Sequence, residues 1–176
     1  MLEPSLSTTV GVGPVPPGPS RETFLGSVVR ALGTTLEETV GIEEAKGFIS
    51  VVGLAVGAEI QAEYLKARGT DRLDRPALVE ALVDLKRRVG GDFELLEQTD
   101  ERIVLANRRC PFGDLAKACP SLCMMTSNMI GHLVAESQGY ARVILDETIA
   151  GGASACRIVI DLDPDAPDAG ARYHRR

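Results

Sequence analysis

Cys110, Cys119, Cys123 and Cys156 are the residues of this 176-residue chain whose type and spacing could do chemistry. Twelve residues separate Cys110 from Cys123 and thirty-two separate Cys123 from Cys156, while three lie between Cys119 and Cys123. Thiolates ligate soft metal ions and iron–sulfur clusters. Pro120 suits the first position of a helix, which would put Cys119 at its cap and Cys123 one turn in. The free N–H groups and positive end of a helix favour thiolate over thiol there. Cys119 and Cys123 form an i, i+4 pair with Cβ atoms roughly 6 Å apart. Cys110 opens the loop that feeds this helix, and Cys156 opens a strand after a glycine-rich turn, so one shared site is feasible. The opposing reading is scattered structural thiols, because buried cysteine is a common small hydrophobe. Cys119 breaks the main spacing and is the first candidate for that role. The paired C-x2-C of structural zinc sites is absent, and spacing alone leaves both readings open.

Other side chains offer less. Nine positions separate Cys123 from His132, which on a helix places them on opposite faces. His174 falls in the C-terminal segment. Asp146 and Glu147 are neighbours on a strand and point to opposite sides, a poor arrangement for paired carboxylates. Asp114 and Glu136 flank the cysteines and read as solvated. Met124, Met125 and Met129, with Ile130 and Leu133, read as core. There is no P-loop and no G-x-S-x-G elbow.

The elements that must position the cysteines follow from periodicity and punctuation. Residues 1–20 hold five of the ten prolines and read as a disordered tail. Ser20 can cap a helix from Arg21, along which Phe24, Leu25, Val28, Val29, Leu32 and Leu36 recur at helical spacing. Gly41 interrupts, and a second helix from Ile42 runs to about Arg68 with Gly69 as its stop. Its Gly53 and Gly57, four apart, allow a neighbouring backbone to approach. A third helix spans 75–89 and ends at Gly90-Gly91. Residues 93–97 and 102–106 read as a hairpin, 120–137 as the cysteine-bearing helix, and 141–149 with 156–162 as a second hairpin. From Pro164 onward a disordered tail is expected. The order predicts one α+β domain over 21–163. Its N-terminal helices pack on a four-stranded antiparallel sheet of two hairpins, with the cysteine helix between them.

Composition narrows the function. The net charge is −6, and the basic groups (Lys86-Arg87-Arg88, Arg108-Arg109, Arg172, Arg175-Arg176) have no aromatic residues among them, so direct nucleic-acid binding is not expected. The longest apolar stretch, 48–60, is broken by two glycines and is short for a membrane span, so no membrane is expected. The first twenty residues lack the pattern of a signal peptide. The expectation is a cytoplasmic location with reduced thiols.

The stretch Cys110-Pro111-Phe112, Pro120-Ser121-Leu122-Cys123 and Gly152-Ala153-Ser154-Ala155-Cys156-Arg157-Ile158 resembles the sensory family known as methanogen output domain 1, over about 22–162. Its last third is also similar to the effector half of the repressors of iron–sulfur assembly genes, and more distantly to 4-vinyl reductase domains, which carry a cysteine-rich zinc site. The resemblance implies an iron–sulfur cluster, of the 4Fe–4S type, or alternatively zinc, on Cys110, Cys123 and Cys156. The repressors have a further cysteine where this chain has Ser137-Gln138-Gly139, so the fourth position falls to Cys119 as a substitute ligand, or to a small molecule, or stays open. The expected function is a sensory or regulatory domain that binds a cluster or metal or senses redox state. It would signal through a regulatory protein partner or its own homodimer, with no catalytic residue. The alternatives are a small cysteine-dependent hydrolase with Cys110 as nucleophile, and an apolar small-molecule module with structural cysteines.

Overall fold

The computed structural model describes residues 18–166 and 170–175. Of the tail expected over residues 1–20, residues 1–17 lie outside the described residues. Helix α1 (Arg21–Val40) starts where Ser20 accepts the Thr23 N–H at 3.1 Å, and Gly41 alone links it to α2 (Ile42–Arg68). Gly41 has φ +84° and Gly69, closing α2, has φ +63°, left-handed conformations that a side chain would strain. Asp74 caps α3 (Arg75–Arg88), with Pro76 in its first turn. Strands β1 (Phe93–Gln98) and β2 (Arg102–Asn107) form the first hairpin. A four-residue helix α4 (Leu115–Ala118) and a 3-10 turn (Pro120–Leu122) lead into α5 (Cys123–Gln138), followed by β3 (Tyr140–Glu147), β4 (Cys156–Asp161) and β5 (Ala171–His174).

The fold is α+β, as the sequence implies, but the sheet has five strands in the order β1-β2-β4-β3-β5. All neighbours pair antiparallel. Strand β5 falls in the segment expected to be tail. It docks because Gly131 of α5 leaves a seat for the Tyr173 ring: a Cβ there would meet the ring at 2.1 Å. The Tyr173 hydroxyl and Ser127 hydroxyl are 3.1 Å apart, and the His174 ring lies 5.1 Å from that of Tyr140, tilted by 58°.

Alternation turns Ile103 and Leu105 of β2, Val143 of β3, and Ile158 and Ile160 of β4 to one face, where they pack with Leu78, Leu82 and Leu85 of α3 and Ile130 and Leu133 of α5. Helix α2 lies across the outside of α5. Gly53 makes this approach possible: a Cβ there would stand 3.0 Å from the Met125 carbonyl oxygen. By length and composition α2 is long and apolar enough to cross a membrane, contrary to the expectation from 48–60, and most of it is exposed. At the sheet end away from the cysteines, Asp161 accepts from Arg142 at 2.8 Å and Arg102 at 2.9 Å, tying β4 to both neighbours.

Candidate functional site

Strand register fixes the site. Asn107, the last residue of β2, pairs with Cys156, the first of β4, and with Phe93, the first of β1. Cys110 follows Asn107 by three residues and therefore emerges at the same edge as Cys156. The buried Asn107 side chain holds that exit in place, accepting the Asp92 N–H at 2.9 Å and the Arg109 N–H at 3.2 Å. Cys123, the first residue of α5, comes down over the same edge. Together Cys110, Cys123 and Cys156 line one pocket with Phe93, Pro111, Phe112, Leu145 and Ile158, an apolar cavity of about 30 Å³. That is space for a water molecule.

The three half-buried sulfurs differ in setting. Burial pushes the Cys110 thiol up, with the neighbouring Cys156 adding to the rise and the N–H groups of Phe112 and Gly113 opposing it. Cys123 is pushed up to about 11, first by burial and then by Cys110, Cys156 and Cys119. The helix-end thiolate expected at Cys123 is therefore a neutral thiol, because desolvation outweighs the helix terminus. Cys156 accepts the Ile149 N–H at 3.4 Å across its own hairpin, the kind of N–H···S contact that tunes thiolate-bound metal centres.

A fourth group belongs to this site. Lys86, in the last turn of α3, is 2% exposed. Its ammonium donates to the Thr126 hydroxyl at 3.2 Å and lies 5.6 Å from the Phe93 ring centre, and both residues line the pocket. Burial lowers it to about 8, while the Cys110 and Cys156 sulfurs pull it back up. In the sequence it is one of three consecutive basic residues that read as a solvated helix end. The signal that could have found it is its place one step past the buried 78, 82, 85 stripe of α3.

The family profile of methanogen output domain 1 matches residues 28–161. The chain belongs to that family. Among solved structures, this methanogen output domain is similar to the phenol-responsive sensory domain of the transcription activator PoxR with phenol, at TM-score 0.60 and 18% identity over 77% of this chain and 73% of that one. At that identity the likeness is one of fold. A search of curated proteins returns no match.

Within this methanogen output domain, Cys119 is held differently from the other three cysteines, although its sulfur still adds to the rise at Cys123. It is fully buried against α1, its thiol donating to Glu37 at 3.3 Å and lying 3.4 Å from the Ser121 hydroxyl. It packs with Ile49 and Leu122 in a second, smaller core. Cys119 and Cys123 are not an i, i+4 pair on one helix as expected, because a 3-10 turn intervenes and the helix begins at Cys123 itself. His132 packs near Gly57 of α2, and Asp146 pairs with Arg157 at 3.3 Å. Among the described residues no three His, Cys, Asp or Glu side chains stand close enough to hold one metal ion. The cysteines thus surround a cavity and do not clasp a point. A wider groove of about 500 Å³ lies at the opposite end of β2 and β4, lined mainly by Glu97, Asp100, Glu101, Asp161 and Asp163.

Proposed function

We propose that the chain is a sensory or regulatory domain that takes its signal at the Cys110, Cys123 and Cys156 pocket, with an iron–sulfur cluster as occupant. The observation that carries this reading is the convergence of three thiols, from three separate elements, on one apolar cavity beside a buried ammonium. The donor set fits: soft sulfur ligands, a dry surround, and an N–H group already directed at one sulfur. In a cluster the thiolates sit on different irons and stand further apart than the ligands of a single ion. Sulfurs ranged around a cavity suit that arrangement better than a zinc site, which is the second choice. With Cys119 engaged elsewhere, one iron would be left to a ligand other than cysteine.

A cluster exceeds the present cavity, so its uptake displaces the Pro111-Phe112 wall and with it the Cys110 loop. That loop runs directly into α4, and α4 packs on α1. Cluster loss or thiol oxidation would let the loop close again, converting chemistry into a shift of the N-terminal helices. The readout passes to a second copy of the chain, in a cytoplasm reducing enough to keep the thiols free. The family description and the fold shared with a sensory domain of a transcription activator support the regulatory half of this reading. As it stands, the cysteine pocket has space for about one water and would have to open for phenol as it would for a cluster; the soft sulfur donors favour the cluster. A hydrolase reading finds no histidine or carboxylate among the pocket residues, and Lys86 is the one basic group beside the sulfurs.

Anaerobic reconstitution with iron and sulfide tests the proposal. The protein is expected to take up both and to absorb broadly in the violet. Cys110→Ser, Cys123→Ser and Cys156→Ser abolish uptake, whereas Cys119→Ser keeps it. A colourless, iron-free protein after reconstitution overturns the cluster. A single hyper-reactive Cys110 on alkylation points to the hydrolase instead.

A further inference from the structure

We infer that Lys86 is the built-in counter-charge of the cysteine pocket, a positioning residue that matches it to an occupant carrying, with its thiolates, one net negative charge. The inference rests on the reading of Cys110, Cys123 and Cys156 as ligands and adds what that reading does not contain, the charge the site is built to hold. An ammonium at 2% exposure is expensive to bury without an anion. Around Lys86 there is a hydroxyl and an aromatic face, and among the described residues no carboxylate forms an ion pair with it. The nearby acids are already engaged: Asp84, on the same helix, accepts from Tyr64 and Arg88, and Glu94 pairs with Arg108. What remains facing the ammonium is the pocket, since Thr126 and Phe93 are both part of its wall.

Lys86 is also held there. Its carbonyl oxygen accepts the Gly91 N–H at 2.8 Å, and Gly91 is wedged so tightly against Phe93 and Pro111 that a Cβ would stand 3.1 and 3.2 Å from them. The charge count then selects the occupant. A dicationic cluster core on three thiolates carries one negative charge, and one buried ammonium brings the whole pocket to neutrality. A low-dielectric site favours that sum over any other. Four protein thiolates would leave a surplus negative charge, which agrees with Cys119 being held elsewhere.

The test is Lys86→Met, which keeps the length of the side chain and removes its charge. Under anaerobic reconstitution with iron and sulfide, wild-type protein is expected to hold its cluster, and the variant to lose it about 10- to 100-fold faster on chelator challenge. The reduction midpoint of the cluster falls in the variant, since a nearby positive charge favours the reduced form. Metal-free Lys86→Met melts at or above wild type, because an unpaired buried charge has gone. A merely structural lysine would give the reverse pattern, lowering the melting point and leaving the midpoint in place. Equal retention and equal midpoints overturn the inference while leaving the cluster reading intact. If wild-type protein takes up no iron, the cluster reading fails, and a lower melting point of the metal-free variant overturns the role of Lys86 independently.

Discussion

Glu37 shows how a single carboxylate oxygen can fasten two distant parts of the chain. It accepts the Ser121 N–H at 2.9 Å and the Cys119 thiol at 3.3 Å, across 82 positions of sequence in the latter case. Burial alone would raise its carboxyl; the bonds from Ser121 and Cys119 outweigh that and hold it below its ordinary value. A depressed folded value contributes stability that is complete above the unfolded value, about 4.3, and is lost as pH falls through the folded one. Glu37→Gln is therefore expected to melt below wild type by a constant margin from neutrality down to about pH 5, and the margin closes at more acid pH. A margin unchanged in thermal melts at the acid end would show that the charge on Glu37 is irrelevant. None of this was legible beforehand, because a side-chain bond between two helices leaves no period in the sequence. Residue type and spacing did single out Cys110, Cys123 and Cys156. They could not say that Cys119 is spoken for by α1, or that Lys86 turns inward while Arg88, two positions on, pairs at the surface with Asp84.

Between elements, close approach is set by absent side chains. Helix α1 reaches the cysteine segment because Gly33 faces Cys119, where a Cβ would lie 2.6 Å from the sulfur. Gly33→Ala is expected to destabilise the fold by about 1–3 kcal/mol through overpacking, with cluster retention by the other three cysteines unchanged. A neutral effect on the chemical denaturation midpoint would mean that α1 can move off Cys119 freely. The long elements were legible because their ends carry local chemistry: Ser20 and Asp74 as caps, Gly41 and Gly69 as breaks. The pieces that escaped lack such marks. Helix α4 is a single turn, β5 is four residues flanked by proline and glycine, and both are fixed by tertiary seats such as the one Gly131 offers Tyr173. The pairing of β2 with β4, which brings Cys110 and Cys156 to one edge, is non-local and cannot be read from alternation in either hairpin.

On the whole molecule, exposed apolar surface is concentrated on α1 and α2. Phe24, Leu25, Val28, Val29 and Leu32 form one stripe of α1, with Leu32 at its centre 68% exposed, and Phe48, Val51 and Val52 stand on the side of α2 turned away from α5. With Val40 and Ile42 these side chains expose on the order of 1,000 Å², more than a monomer ordinarily shows and enough for one partner's share of a stable interface. An apolar stripe is complementary to itself, so the occupant we expect is a second copy. Leu32→Glu with Val51→Glu should convert a dimer to a monomer in sedimentation or light scattering, and a wild-type monomer at micromolar concentration would exclude this assembly. The same two helices share the 3-10 turn beyond the Cys110 loop, but α1 alone of the pair packs on α4, while α2 packs chiefly on α5, which begins with Cys123. One glycine joins them. A 20-residue helix is about 30 Å long, so a swing of about 10° at that joint carries its far end through about 5 Å. Gly41 thus makes the pair a set of callipers hinged at one residue, whose opening would be felt by whatever grips the tips.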